Sequence, residues 1–357
     1  MTYQSIRNIN LSGKTVLVRV DYNVPIKQGL ITSDFRIRAS LPTLQFLRQQ
    51  GAKKIILLSH LGRPDGQDPN FSLKVVADYL AQLIGQVSFI DAVTGPSVAT
   101  AVKNLSSGGI LLLENLRFFP GETENSSQFI QQIIQSTHAD LFIQDAFSVL
   151  HRAHASVSAV AQYLPVYAGL LVLKELENLS SICENPTRPF LVIIGGSKVE
   201  DKSPLIARFS SLADHIVIGG KIATTGYQAQ QPHIYVAEDF VENATGQKLD
   251  LGPRAIAKIQ TLISESSTIL WNGLLGYAEN PAFAVASTAI ARAIGRQHQS
   301  KTIICGGDTV GFVNQLLSIE ANLKYSLLST GGGATLDFLS SGSLPGLQVL
   351  QKTNISY

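Results

Sequence analysis

The side chains with the most chemistry to offer fall directly after short apolar runs. In the first half, Asp21, Asn23, His60, Arg63, Arg117, His151, Arg152 and His154 stand at or just past such runs, with Arg36 near the first crossover. Any one of them reads as ordinary surface charge. As a set recurring at one topological level they read as a patch for a small, highly anionic ligand, because a guanidinium grips carboxylate or phosphate through paired hydrogen bonds. His151 and His154 form an HxxH pair, but no third ligand stands at useful spacing, so a metal centre is not expected there.

The second half offers glycine where the first offers arginine. Pro189 to Lys202 reads PFLVIIGGSKVEDK: a buried-strand pattern, then Gly195-Gly196, then Lys198 and Lys202. A helix beginning near Ser197 would set both ammonium groups on one face beside its N-terminus, where the backbone already favours anions. On this fragment alone, a tight turn with two solvated lysines explains the pattern equally well. Further glycine turns at Gly219-Gly220, Gly306-Gly307 and Gly331-Gly332-Gly333 favour the functional reading. Successive turns of this kind let main-chain amides form anion-binding hollows. Asp308, just after Gly306-Gly307, is placed to hold a divalent cation directly or through water. The expected ligand is a nucleotide polyphosphate with magnesium.

Composition removes other classes. The 357 residues are 45% apolar and 15% charged, enough for two domains with ample cores and without a disorder signature. A net charge of +2 is too mild to argue for nucleic acid or an anionic membrane. Two cysteines, Cys183 and Cys305, form no disulfide or metal pattern. The opening MTYQSIRNINLSGK has no apolar core of signal-peptide length, and no run approaches membrane-spanning length. The expectation is a cytoplasmic protein.

Groups at one topological level need a scaffold that presents strand ends side by side. Apolar strand patterns at Thr15–Val20, Lys54–Ser59, Val87–Ile90, Ile110–Asn115 and Leu141–Phe147 alternate with amphipathic stretches such as Arg36–Gln50 and Leu73–Ile84. Pro42 inside the first stretch suggests a kink or a late start. The second half repeats the theme at Phe190–Ile194, His215–Lys221, His233–Glu238, Ser267–Gly273, Lys301–Thr309 and Tyr325–Thr335, after a helical connector at Ala168–Cys183. This alternation predicts doubly wound parallel sheets with ligands beyond the carboxyl ends of the strands. A last short helix is expected after Gly333, and LQVLQK is expected to dock back on the first half. No G-x-x-x-x-G-K-[ST] P-loop occurs, and no G-x-G-x-x-G follows a strand.

In order, VRVDYNVP, the Arg36-Ile37 pair, SHLGRPDG, ENLRF, DAF…HRAHAS, GGSKVEDK, WNG…E, GGDT, STGGGAT and LPG resemble the motif series of the phosphoglycerate kinases over nearly the whole chain. The resemblance implies two Rossmann-like α/β domains, each a doubly wound parallel sheet, joined by a hinge helix. Residues 1–167 with 343–357 would bind phosphoglycerate, and 168–342 would bind nucleotide, with 168–183 as connector. The implied reaction is reversible transfer of the acyl phosphate of 1,3-bisphosphoglycerate to ADP, giving 3-phosphoglycerate and ATP in glycolysis or gluconeogenesis. Mg2+ with ADP or ATP, a monomeric state, and no nucleic-acid or membrane partner come with it.

Carried over position by position, the implied phosphoglycerate ligands are Asp21, Tyr22, Asn23, Arg36, His60, Leu61, Gly62, Arg63, Arg117 and Arg152. The implied nucleotide ligands are Gly195, Lys198, Lys202, Asn272, Glu279, Gly306, Gly307, Asp308 and Thr309, with Asp308 on the metal. Arg36, Lys198 and Lys202 are the implied catalytic residues. Arg36 and Lys198 would flank the moving phosphoryl group, Lys202 would hold the terminal phosphate, and Glu279 would accept from ribose.

The chain departs from the family mainly around the nucleotide. Gly219-Gly220-Lys221-Ile222 stands for GGGM, Leu274 and Leu275 replace the PM of WNGPMG, and Cys305 replaces a glycine. Leu327 stands where many members have histidine, and DAFGTAHRAH reads DAFSVLHRAH. The segment from Tyr227 to Ser267 is short and lacks the GWMGLD-type stretch. These changes put base preference in question without removing an assigned catalytic charge. The rival reading is a catalytically weak paralogue that binds nucleotide or anions as a regulator; a two-domain dehydrogenase fails for want of the dinucleotide fingerprint.

Overall fold

The computed structural model describes residues 3–229 and 231–351. The chain divides into two compact units, Met1–Lys174 with Ser343–Tyr357, and Glu175–Gly342. The division falls inside a helix, Leu170–Glu184, rather than ahead of it. Among the described residues no helix is long and apolar enough to cross a membrane.

Unit 1 contains strands β1 (Thr15–Arg19), β2 (Ile26–Lys27), β3 (Leu30–Ile31), β4 (Lys54–Leu58), β5 (Val87–Ile90), β6 (Gly109–Leu113), β7 (Leu141–Gln144) and β8 (Val166–Ala168). β2 and β3 form a small hairpin; the other six make one parallel sheet in the order β5-β6-β4-β1-β7-β8. Helices cross over between strands, so the central strands are buried on both faces and their sequences are mostly apolar, with Arg19 of β1 the buried exception. The order reverses at β1, which puts the switch-point crevice beyond the ends of β1 and its neighbours.

The helix Phe35–Gln49 runs through Pro42 without a late start. Pro42 lies on its exposed side, where the carbonyl that loses its partner can meet water. The C-terminal segment belongs to unit 1. After the short helix Gly333–Ser341, Pro345–Leu350 forms a 3-10 helix, the Gly346 amide bonds to Leu150 O at 2.8 Å, and Gln351 bridges to Tyr3. Lys352, the end of LQVLQK, lies outside the described residues.

Unit 2 contains β9 (Phe190–Ile194), β10 (His215–Ile218), β11 (Ile234–Val236), β12 (Phe240–Glu242), β13 (Lys248–Leu251), β14 (Thr268–Asn272), β15 (Lys301–Cys305) and β16 (Leu327–Leu328). Its parallel sheet runs β11-β10-β9-β14-β15-β16, with β12 and β13 as a separate antiparallel hairpin. The hairpin falls in the short 227–267 segment, where the sequence pattern predicts no strand pair. A second correction concerns the lysines. No helix begins near Ser197; the helix is Ser203–Phe209, with Lys202 at its N-cap. Pro204 sets that start, because a proline in the first turn gives up an amide that has no helical partner anyway. Lys198 and Lys202 therefore share a loop, not a helix face.

Candidate active site

In unit 1 the loop after β1 organises the patch. Asp21 is almost fully buried, and both its oxygens are used. Oδ1 accepts the Asn23 amide at 3.1 Å; Oδ2 accepts Arg36 Nη1 at 2.8 Å and Ser148 Oγ at 2.5 Å. Arg36 Nη1 also donates to Asn23 O at 3.3 Å. Asp21 thus aims the arginine instead of presenting free negative charge to a ligand. Asn23 Oδ1 accepts the Gly62 amide at 2.8 Å, and Arg117 Nη1 donates to Gly62 O at 2.5 Å, which ties the loop after β4 to the turn after β6.

The cations are pressed together. Arg117 is pulled down to about 10, first by burial and then by Arg152, Arg19 and Arg63; Arg152 is lowered by burial and by Arg63. His60 is held well below its ordinary value, first by burial and then by Arg19, Arg117, Arg36 and Arg152, so its ring is neutral at neutral pH. Its Nδ1 lies 3.1 Å from Arg19 Nη2. A guanidinium only donates, so Nδ1 accepts and the ring proton sits on Nε2 as a fixed donor. An arriving anion relieves this mutual repulsion.

Two carried-over residues serve the scaffold through their side chains. Tyr22 is fully buried, its hydroxyl 3.1 Å from Ser40 Oγ and its phenol pushed up chiefly by burial. Leu61 is buried, with its amide and carbonyl both held by Asn115. Reading the sequence missed Arg19, which lies buried in β1 against His60, with Glu122 Oε1 at 3.9 Å. The available signal was one charged residue inside the apolar run TVLVRV. Ser148 had no comparable signal: it meets Asp21 across 127 positions.

Unit 2 holds an open cleft of about 1340 Å³ beyond its strand ends. Lys198, Lys202, Glu279, Gly306, Gly307, Asp308 and Thr309 all line it. Gly195 and Asn272 do not; they form the layer beneath. Lys202 Nζ donates to Asn272 Oδ1, Asn272 Nδ2 lies 3.1 Å from Cys305 Sγ, and the Gly195 amide bonds to Asn272 O at 2.9 Å. Burial lowers the Lys202 ammonium below its ordinary value, with Cys305, Asp201 and Asp308 opposing that shift. Thr309 Oγ1 accepts the Gly273 amide at 2.9 Å and so locks the turn after β14 to the helix Gly307–Ile319. Gly273 has φ +95°, and a Cβ on it would overlap the backbone of Gly195; these turns pack main chain against main chain.

The family departures gather on the same cleft. Lys221 and Leu274 line it, as do Phe240 and Lys248 of the β12–β13 hairpin, whose ammonium stands 4.6 Å over the Phe240 ring. Leu275 also lines it, although it is fully buried. Among the described residues no three or more His, Cys, Asp or Glu side chains gather as a metal site. A magnesium ion carried on nucleotide phosphates, which needs only one or two protein carboxylates, fits Asp308.

Each unit is an α/β domain on a parallel sheet, one with a braced cation patch and the other with a glycine-lined cleft, the class of fold and site that handles small anionic ligands. A phosphoglycerate kinase family model matches residues 6–245 and 228–342, the overlap falling in the short segment before Ser267. Curated relatives named phosphoglycerate kinase include one from Dictyoglomus turgidum, 37% identical over 98% of each chain. Another, from Leptospira biflexa, is 39% identical over 96% of each. Solved structures agree: phosphoglycerate kinase from Coxiella burnetii (TM-score 0.79, 32% identity, 98% of this chain and 99% of that one) and from Pyrococcus horikoshii OT3 (0.85, 26%, 97% and 98%). The chain belongs to the phosphoglycerate kinase family. The same comparisons support kinase function over the regulatory-paralogue reading.

Proposed function

We propose that unit 1 binds 3-phosphoglycerate or 1,3-bisphosphoglycerate, that unit 2 binds Mg2+ with ADP or ATP, and that the chain moves the acyl phosphate reversibly between them. The observation that carries this reading is in unit 1. Arg63, Arg117 and Arg152 are crowded together, while the acids near them are engaged: Asp21 by Arg36, Ser148 and the Asn23 amide, and Glu122 by the Ser156 amide and hydroxyl. Such a patch awaits a ligand with several negative charges.

Phosphoryl transfer asks a protein mainly to position the reactants and stabilise charge. In this reading Arg36 and Lys198 flank the transferred group, Lys202 holds the terminal phosphate of the nucleotide, and Glu279 accepts from ribose. Neutral His60 supplies an uncharged Nε2–H donor to the substrate. Asp308 holds the magnesium, which neutralises phosphate charge when bound. In-line transfer requires the two bound ligands to meet with water excluded. The same reading makes the protein a cytoplasmic monomer.

The test is a coupled assay with 3-phosphoglycerate, magnesium and a panel of nucleotides. Turnover with at least one nucleotide supports the proposal. Measurable binding of both ligands with no turnover for any nucleotide contradicts it.

A further inference from the structure

Asp145 has no part in the chemistry above, yet it is held from several sides. It follows β7 directly and is completely buried, and its amide bonds to Arg19 O at 2.9 Å. Its Oδ1 accepts the Leu171 amide at 3.0 Å, while Oδ2 is buried with no hydrogen-bond partner among the described residues. Thr43 Oγ1 accepts the Leu170 amide at 3.1 Å. Leu170, Leu171 and Val172 open the helix Leu170–Glu184. A side chain at the preceding residue normally caps such amides. Here that residue is Gly169, and a Cβ on it would overlap the Asp145 carboxylate. The cap is therefore supplied by two other elements.

Both elements lead to the substrate patch. Thr43 lies on the helix Phe35–Gln49, which carries Arg36 in its first turn. Asp145 begins the loop that reaches Ser148, and Ser148 donates to the same Asp21 oxygen that holds Arg36. In the other direction the capped helix runs on to Glu184, and its residues from Glu175 onward belong to unit 2.

We propose that Thr43 and Asp145 are positioning residues that link phosphoglycerate binding at Arg36 and Asp21 to the first turn of the helix leading into unit 2. The inference rests on the functional reading above. A phosphoglycerate that engages Arg36 competes with Asp21 for the guanidinium. Asp21 and Ser148 then readjust, and the shift reaches the capped amides through short, buried connections. Packed elements of this kind respond in discrete steps instead of deforming smoothly.

Hydrogen–deuterium exchange on the full chain, with and without 3-phosphoglycerate, tests the link alongside steady-state kinetics of Asp145→Ala, Asp145→Asn and Thr43→Ala. In the native chain the ligand slows exchange at Leu171–Leu173. Asp145→Ala abolishes that slowing and lowers kcat by about tenfold while KM for 3-phosphoglycerate changes less than about threefold. Asp145→Asn keeps a carbonyl acceptor for the Leu171 amide and restores most of the response. Should Asp145→Ala not fold, Thr43→Ala carries the test, with a weakened ligand response expected. Ligand-induced slowing that persists undiminished in the variant tested overturns the inference. Native turnover without any slowing at Leu171–Leu173 counts against the link alone; slowing without turnover counts against the kinase reading alone.

Discussion

Past β1, β4 and β6 of unit 1 the chain carries Asp21, His60 and Arg117; past β9, β14 and β15 of unit 2 it carries Gly195, Gly273 and Gly306. Both sheets place their sites beyond strand ends, but with different materials. The first crowds cationic side chains together and holds one of them with an acid, as Asp21 does for Arg36. The second sets lysines and Asp308 around turns whose main chains pack too closely for a side chain, as at Gly195 and Gly273. The contrast teaches where each site is vulnerable. On this account unit 1 should be disabled by deleting charge while its fold survives, and unit 2 both by deleting a cleft lysine and by adding a methyl group at a closely packed turn.

The largest expected effect is on turnover. A preorganised cation at a developing charge is worth about 3–4 kcal/mol by analogy with a lost oxyanion donor, so Arg36→Ala or Lys198→Ala lowers kcat by about two to three orders of magnitude. Steady-state kinetics with unchanged circular dichroism checks this; near-normal turnover would remove either residue from the transfer step.

Next comes the glycine layer, where two substitutions sharpen the contrast. Gly273→Ala meets a positive φ and the backbone of Gly195, and is expected to cost about 2–4 kcal/mol of stability in urea unfolding. Gly307 has ordinary φ and nothing within 4 Å of its missing Cβ. Gly307→Ala should leave stability unchanged or raise it by about 0.5 kcal/mol, yet weaken Mg-nucleotide binding in calorimetry. Equal behaviour of the two variants would break the claim that close main-chain packing shapes this site.

The smallest effect is a pH dependence. Burial pushes the Asp145 carboxyl up to about 7, above its unfolded value of 3.8. The stability this group contributes is full below the unfolded value and is lost as pH rises through about 7. Asp145→Asn, neutral throughout, should therefore gain on the native protein by about 1–3 kcal/mol between pH 4 and 8. His60 and His154, the latter lowered to about 4 mainly by burial, work in the opposite sense. Their contribution is present above 6.5 and lost as pH falls, in both proteins alike. Urea unfolding at pH 5 and pH 8 decides; a gain that does not grow with pH would place the Asp145 charge elsewhere.

Much of the fold was legible because strands buried on both faces leave unbroken apolar runs, such as FLVII at Phe190–Ile194 and GILLL at Gly109–Leu113. The β12–β13 hairpin was not, since its strands are short and interrupt their apolar residues with charge, Glu242 and Lys248 being exposed. The Lys198–Lys202 spacing misled because an i to i+4 interval sets a common face only inside a helix, and Pro204 marked the true start. Within the site, residue types were readable and pairings were not. Nothing local joins Ser148 to Asp21 or Thr43 to Leu170; the topology brings them together. Motif positions also carried Tyr22 and Leu61 into the patch, although their side chains serve the core.

The most direct test of the division of labour is calorimetric titration of the full chain with 3-phosphoglycerate and with Mg-ADP separately, for the native protein, Arg117→Ala and Lys202→Ala. Arg117→Ala should lose most of its affinity for 3-phosphoglycerate and keep that for Mg-ADP, and Lys202→Ala should do the reverse. Either substitution weakening both ligands equally, or 3-phosphoglycerate binding that survives loss of Arg117 and fails on loss of Lys202, would contradict the account.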